Sequence, residues 1–248
     1  MSHAPRKDTM DTHPHRRHPL IPLLGLLAGA LLIVPAVVVY NAPADAAVTA
    51  SSYSESVDQQ HGHVGARALT RKQVVFHDQM RKLWEDHVTW TRLAIVTFAD
   101  GSAGFDATAT RLLQNQTDIG NAIKPFYGSA AGTRLTALLH DHITIAVELL
   151  QDAKAGDTAA FDAAKTRWYA NANDIADFLS TANPHFWPRK TMRAAMKTHL
   201  DQTLAEAVAE LGADYPASVA AYEAIHLHIL DMADLLSSGI IGQFPQRF

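Results

Sequence analysis

A histidine recurs inside an apolar helical stripe at three places, His87, His142 and His199, at intervals of 55 and 57 residues. A nearly fixed period marks a repeated supersecondary unit and restricts the chain to folds built by stacking copies of it. The segments LWEDHVTWTRLAI, LLHDHITIAVELL and MKTHLDQTLAEA align on these histidines. The stretch that follows each aligns as well: QNQTDIGN, ANANDIAD and HLHILDMADLL superpose Asn115, Asn171 and His228. Three residues further on they superpose Asp118, Asp174 and Asp231, again at intervals of 56 and 57. Phe105-Asp106 and Phe161-Asp162 repeat at the same offset. The unit is a helical hairpin of about 56 residues, present three times. Chance alignment of alanine-rich helices is the competing explanation.

Start and stop signals divide residues 67–248 into six expected helices and no strand. Thr70 and Gln73 form a capping box, and Trp84, Val88, Thr91, Ile95 and Phe98 continue from it at helical spacing. A break at 101–104 precedes a second helix from Asp106 to Ile123, which Pro125 should stop. A third spans Thr133 to Ala155 and ends at Gly156. Asp157 caps a fourth, reaching Thr181 before Asn183-Pro184. Pro188 opens a fifth, to Leu211, and Pro216 a sixth, to Ser237. The expected fold class is all-α, a six-helix bundle of three quasi-repeated hairpins. The segment NPHFWP (183–188) should cover one end of the bundle, and the apolar tail GIIGQFPQRF (239–248) should pack against it. The tryptophans at 84, 90 and 168 read as core.

Ahead of this domain, residues 1–19 are polar, and Arg16 and Arg17 precede an uncharged apolar run from Leu20 to Tyr40. At 1.5 Å per residue the run is roughly 31 Å long, enough to cross a ~30 Å hydrocarbon core. Its basic flank orients the N-terminus inside and the domain outside the cell. An uncleaved single-pass anchor at the cell membrane is one expectation. A signal segment cleaved near Ala44-Asp45-Ala46, giving a secreted protein, is the other. The Arg-Arg pair is also compatible with twin-arginine export. Residues 41–66, rich in Ala, Ser and small polar residues, read as a flexible spacer.

Each odd-numbered helix carries its histidine within the apolar stripe, and each even-numbered one carries a polar pair at i, i+3, on one face. Nine groups are therefore expected to point inward: His87, His142, His199, Asn115, Asn171, His228, Asp118, Asp174 and Asp231. A buried polar group without a partner costs about 1–3 kcal/mol. Two arrangements satisfy them. In the first, the side chains only bond to one another and fix helix register, as in an envelope structural or interaction protein. In the second, His87, His142 and His199 meet near a pseudo-threefold axis and bind a transition metal. Asp118, Asp174, Asp231 and His228 then serve as further ligands or orient the imidazoles. Three histidines suit zinc or copper, and added carboxylates move the preference toward iron or manganese. A metal-dependent enzyme with an open coordination position is the third class.

Other chemistry is narrowed by what is missing. The chain has no cysteine, which excludes disulfides, thiolate-bound metals and thiol catalysis. A formal charge of −4 argues against binding nucleic acid through its phosphates. Zinc-protease, nucleophile-elbow, P-loop and dinucleotide motifs are absent. Glu223-x-x-His226 occurs once, where a ferritin-like centre needs two such pairs. His140 and His226, two residues from the repeated positions, should face elsewhere, and His77 reads as a plain buried or boundary histidine, or a member of a separate polar layer. The histidines of the first 18 residues, with His61 and His63, read as solvated side chains.

The stretches DHVTWTR (86–92), NQTDIGNAIKPFYG (115–128), NANDIADFLSTANP (171–184) and HLHILDMADLLSSGIIGQFP (226–245) resemble an exported family of uncharacterised bacterial proteins from actinomycetes and bacilli. The resemblance covers most of residues 70–248. Members often carry the label "glycosyltransferase", which this sequence does not support: it has neither alternating strands and helices nor a D-x-D motif. The resemblance implies an exported address and the extent of the domain, and no chemistry.

Overall fold

A computed structural model describes residues 69–248. The apolar run 20–40, the spacer 41–66 and the export readings attached to them lie outside the described residues. Within the described residues there are five α-helices, a terminal 3-10 turn and no strand. Helix α1 (Arg71–Ala99) starts at the expected capping box. The Thr70 hydroxyl accepts from the Gln73 backbone N–H at 3.2 Å, and the Thr70 N–H donates to Gln73 Oε1 at 2.8 Å.

The expected six separate helices are corrected at Pro125. Helix α2 runs from Phe105 to Ala155, absorbing both the second and the third, and it leaves helical geometry only at Gly128 (φ 85°, ψ 166°). Proline removes one N–H and does not by itself end a helix. The reversal falls three residues later, on a glycine that tolerates positive φ. The two arms lie against each other. A Cβ on Gly120 would stand 2.7 Å from the Gly132 carbonyl, and Thr117 Oγ1 meets His140 Nε2 at 3.2 Å. Arg247 donates to the Pro125 carbonyl at 2.7 Å and so supports the end of the first arm.

Helix α3 (Thr158–Ala182) is capped by Asp157, whose carboxylate accepts from the Ala160 N–H at 3.0 Å. Helix α4 (Arg189–Leu211) follows Pro188, and α5 (Tyr215–Gln243) is capped by Asp214 and continues past the expected stop at Ser237. Gly239 and Gly242 sit in α5 because the NPHFWP segment lies over them. A Cβ on Gly239 would overlap the Trp187 indole, and one on Gly242 the Phe186 ring. Trp187, 1% exposed, donates from Nε1 to the Leu235 carbonyl at 3.1 Å. Asn183 Nδ2 donates to the Gly239 carbonyl at 2.9 Å. Phe248 at the chain end packs on Phe76 and Phe126, with ring centroids 5.1 and 5.5 Å apart.

Neighbouring helices contact in chain order, and α5 closes the ring by packing on α1; α4 also touches α1 and α2 across the middle. The core includes Met80, Trp84, Ile119, Leu135, Ile175, Met192, Leu200 and Ile229. Helix α5 is also long and apolar enough to cross a membrane by length and composition. In the fold, its apolar residues Ile225, Ile229, Met232, Leu236 and Ile240 are buried in this core.

Candidate functional site

Three helical rods carry the three histidines: α1 holds His87, the second arm of α2 holds His142, and α4 holds His199. All three are at most 4% exposed. Helical spacing alone turns each toward the core, since each lies three or four residues from buried apolar neighbours. They come together there. His87 Nε2 and His199 Nε2 are 3.4 Å apart with ring centroids at 5.4 Å, and the His142 and His199 rings stack at 6.2 Å. Trp84 sets its edge toward His87 at 6.0 Å, and Trp168 stacks on His142 at 5.2 Å.

Hydrogen bonds fix the ring orientations. Asn171 Nδ2 donates to the Leu138 carbonyl at 3.0 Å, so its Oδ1 faces His142 Nδ1 at 2.9 Å and accepts that proton. The lone pair of His142 is thereby assigned to Nε2. Gln116 Nε2 donates to the Leu112 carbonyl at 2.9 Å and to His87 Nδ1 at 3.1 Å. His87 then carries its proton on Nε2, facing His199, and His199 carries its own on Nδ1. Among the described residues His199 Nδ1, Gln116 Oε1 and Trp84 Nε1 are buried without a hydrogen-bond partner. Two of these atoms belong to the His87 surroundings and the third to the ring facing it.

Burial, and the proximity of the rings to one another, disfavours the imidazolium form. Desolvation first, then repulsion from His142, pushes the His87 pKa down to about 3. Desolvation takes His142 to about 4 against a smaller opposing effect of Asn171. His199 lies well below its ordinary value, through desolvation and then the neighbouring His87, His142 and His228. At neutral pH all three are neutral imidazoles, the form that ligates metals.

The same kind of backbone contact occurs at three places. Asn115 Nδ2 donates to the Leu83 carbonyl and Asn171 Nδ2 to the Leu138 carbonyl, both at 3.0 Å; His228 Nε2 donates to the Ala195 carbonyl, also at 3.0 Å. Each acceptor stands four residues before one of the three clustered histidines.

The aspartates do not join this layer, which corrects the expectation of nine inward groups. Asp174 and Asp231 are exposed, and Asp118 is half-exposed, accepting from Gln114 at 3.0 Å with Arg111 at 3.6 Å. The reason is angular. Buried neighbours of Asn115 are Gln116 and Ile119, those of Asn171 are Ala172 and Ile175, and those of His228 are Ile229 and Met232. The buried face is therefore centred between i+1 and i+4, and at 100° per residue position i+3 falls about 130° away from that centre. His228 itself is half-buried and spent on a carbonyl.

The remaining histidines lie outside the cluster, as spacing predicts. His140 meets Thr117, His226 pairs with Glu85 at 3.1 Å, and His77 pairs at 2.9 Å with Asp234, which also holds Arg81. Among the described residues no group of three or more His, Cys, Asp or Glu side chains is closed round a common point at metal-binding distance. The His87–His199 pair has the spacing, and His142 stands off from it.

Sequence reasoning missed two features. Gln116, fully buried against His87, follows the repeated Asn115 and has no counterpart in the alignment. Further along α4, Glu206 and Glu210 are 1% and 5% exposed and share one guanidinium, that of Arg92, at 3.2 Å each. Ser218 donates to Glu210 as well. Burial, against the pull of Arg92, raises the Glu206 pKa to about 7. The signal was present: Met196, His199, Thr203, Glu206 and Glu210 continue one 3–4 stripe.

No protein-family model, curated protein or solved structure matches this chain.

Proposed function

We propose that the chain is an exported, membrane-anchored bundle of three repeated hairpins that binds a transition metal through His87, His142 and His199. The observation that carries this reading is the 3.4 Å separation of His87 Nε2 and His199 Nε2. Two imidazoles bound at 2.0–2.1 Å to one tetrahedral ion stand about 3.3–3.4 Å apart. As a hydrogen bond between neutral rings the same distance is long. The His142 lone pair, oriented by Asn171, supplies the third ligand once its ring closes in on the pair. Binding moves the His87 proton to Nδ1, where Gln116 Oε1, unpartnered otherwise, accepts it after the carboxamide rotates.

The chemistry of the set favours copper over zinc or iron. Asp118, Asp174 and Asp231, which would neutralise a divalent ion, face outward. The cost of burying an ion in an apolar core rises with the square of its charge. Three neutral imidazoles therefore suit monovalent copper best, in a role of holding and handing on the metal. The Leu20–Tyr40 segment supplies the membrane anchor, and extraction of membranes with alkaline carbonate distinguishes it from a cleaved signal. The recurring Asn115, Asn171 and His228 contacts support a common origin for the three hairpins. They also favour a second reading, a layer that fixes register only; the unpartnered Gln116 Oε1 beside His87 counts against it, since a purely structural network is expected to satisfy its members.

Elemental analysis of the purified full chain is the test. The reading predicts near-stoichiometric copper after loading under reducing conditions, lost in His142→Ala and kept in His140→Ala, with circular dichroism confirming that both variants stay helical. A wild-type chain that stays empty after incubation with copper, zinc and iron overturns it.

A further inference from the structure

An apolar cavity of about 50 Å³ lies inside the bundle on the C-terminal side of the histidine layer. Its inner end is formed by Thr91, Ala146 and Thr203. Each of these stands four residues after one of the three histidines, just over one helical turn or about 6 Å along its rod. Ile95, Leu150 and Ala207, a small apolar cluster of their own, form its walls. Val208 and Leu211, in the last turn of α4, line the outer end, and Val208 is 55% exposed. On the other side of the histidines the core is closed by Trp84, Leu138 and Met196, all at most 4% exposed.

The polar atoms that line the cavity are occupied elsewhere. Thr91 Oγ1 donates to the His87 carbonyl at 2.7 Å, Thr203 Oγ1 to the His199 carbonyl at 2.8 Å, and Trp168 Nε1 to the His142 carbonyl at 3.1 Å. Each bond runs to the backbone of one of the three clustered histidines. A water molecule needs two to four polar partners, and these walls supply none. Apolar cavities of about 150 Å³ stay dry and accept benzene or xenon. One a third of that size is too small for benzene and takes guests of the size of a single xenon atom or a diatomic molecule.

We propose that this cavity binds a small uncharged apolar molecule, of the size of dioxygen or another diatomic gas, one helical turn from the histidine cluster. Delivery of that molecule to a metal rests on the proposed centre, whereas occupancy of the cavity does not.

Xenon is the probe. Methyl carbon–proton spectra of the full chain, freed of metal with a chelator, are recorded at increasing xenon pressure. The proposal predicts saturable shifts at the Ile95, Ile143 and Leu150 methyls, lost in Ala207→Leu, whose added carbons fill the cavity. Ala146→Leu, which fills it from another rod, should abolish them too and serves if the first variant does not fold. Absence of saturable shifts in the wild type, or shifts that persist in a folded filled variant, overturns the proposal. Because no metal is present, either result is independent of whether the histidines bind one.

Discussion

Replacing Asn171 by alanine isolates the contact that orients the third histidine. Asn171 makes two buried hydrogen bonds, accepting from His142 Nδ1 at 2.9 Å and donating to the Leu138 carbonyl at 3.0 Å. Truncation leaves the His142 N–H buried without a partner, which costs about 1–3 kcal/mol. Loss of the bond to Leu138 adds roughly 1 kcal/mol, and its carbonyl keeps its helical partner. The sum is about 3 kcal/mol, equivalent to a melting temperature lower by roughly 6–12 °C for a domain of this size. The control is Asp174→Asn on the same helix. Asp174 is exposed, so that change should stay within about 0.5 kcal/mol. Thermal unfolding followed at 222 nm measures both. Removing a group that orients a ligating histidine also weakens metal binding by about 10–100-fold, so competition with a chromogenic chelator should register N171A and not D174N. Equal stability of N171A and wild type, or an equal cost for both variants, would refute this assignment of inward and outward faces.

Acid should destabilise the metal-free protein. A histidine whose pKa is lower folded than unfolded binds its proton preferentially in the unfolded chain, so its contribution is intact above pH 6.5 and declines below it. With folded values of about 3 and 4, His87 and His142 each lose about 2 kcal/mol between pH 7 and pH 5, and His199 acts in the same direction. Glu206 opposes them, because its raised pKa favours the folded state increasingly as pH falls from 7 to 5, by about 2 kcal/mol. Urea titrations should therefore give a drop of about 2 kcal/mol or more in the wild type and about 4 kcal/mol or more in Glu206→Gln. A flat profile in the latter contradicts the neutral, buried cluster. Gly120→Ala should cost about 1–3 kcal/mol, since its Cβ would meet the Gly132 backbone carbonyl at 2.7 Å and force the arms of α2 apart. An unchanged melting temperature would show that the arms do not touch there.

Local signals carried most of the fold because they act over three or four residues. The Thr70 capping box, the Asp157 cap and the left-handed Gly156 stand where spacing and side-chain chemistry put them. The reading failed where a local signal had a tertiary meaning. Pro125 looked like a stop, yet the turn belongs to Gly128. Gly239 looked like the approach to a helix end, yet it is a flat seat for Trp187 within α5. At the site, the three histidines were legible because each interrupts an apolar stripe. The aspartates were misassigned because i, i+3 spacing puts two residues on one face without saying where the centre of that face lies. Gln116 had no counterpart in the repeats, and Glu206 looked like an ordinary charged helix position until α1 brought Arg92 against it.

The central claim is that His87, His142 and His199 close on one ion. X-ray absorption at the copper edge of the full chain, loaded with one equivalent of monovalent copper, tests it most directly. The account predicts three imidazole nitrogens at about 2 Å in the wild type, and a different, lower-affinity environment in His142→Ala. A spectrum dominated by other ligands, or one unchanged by that substitution, would contradict it.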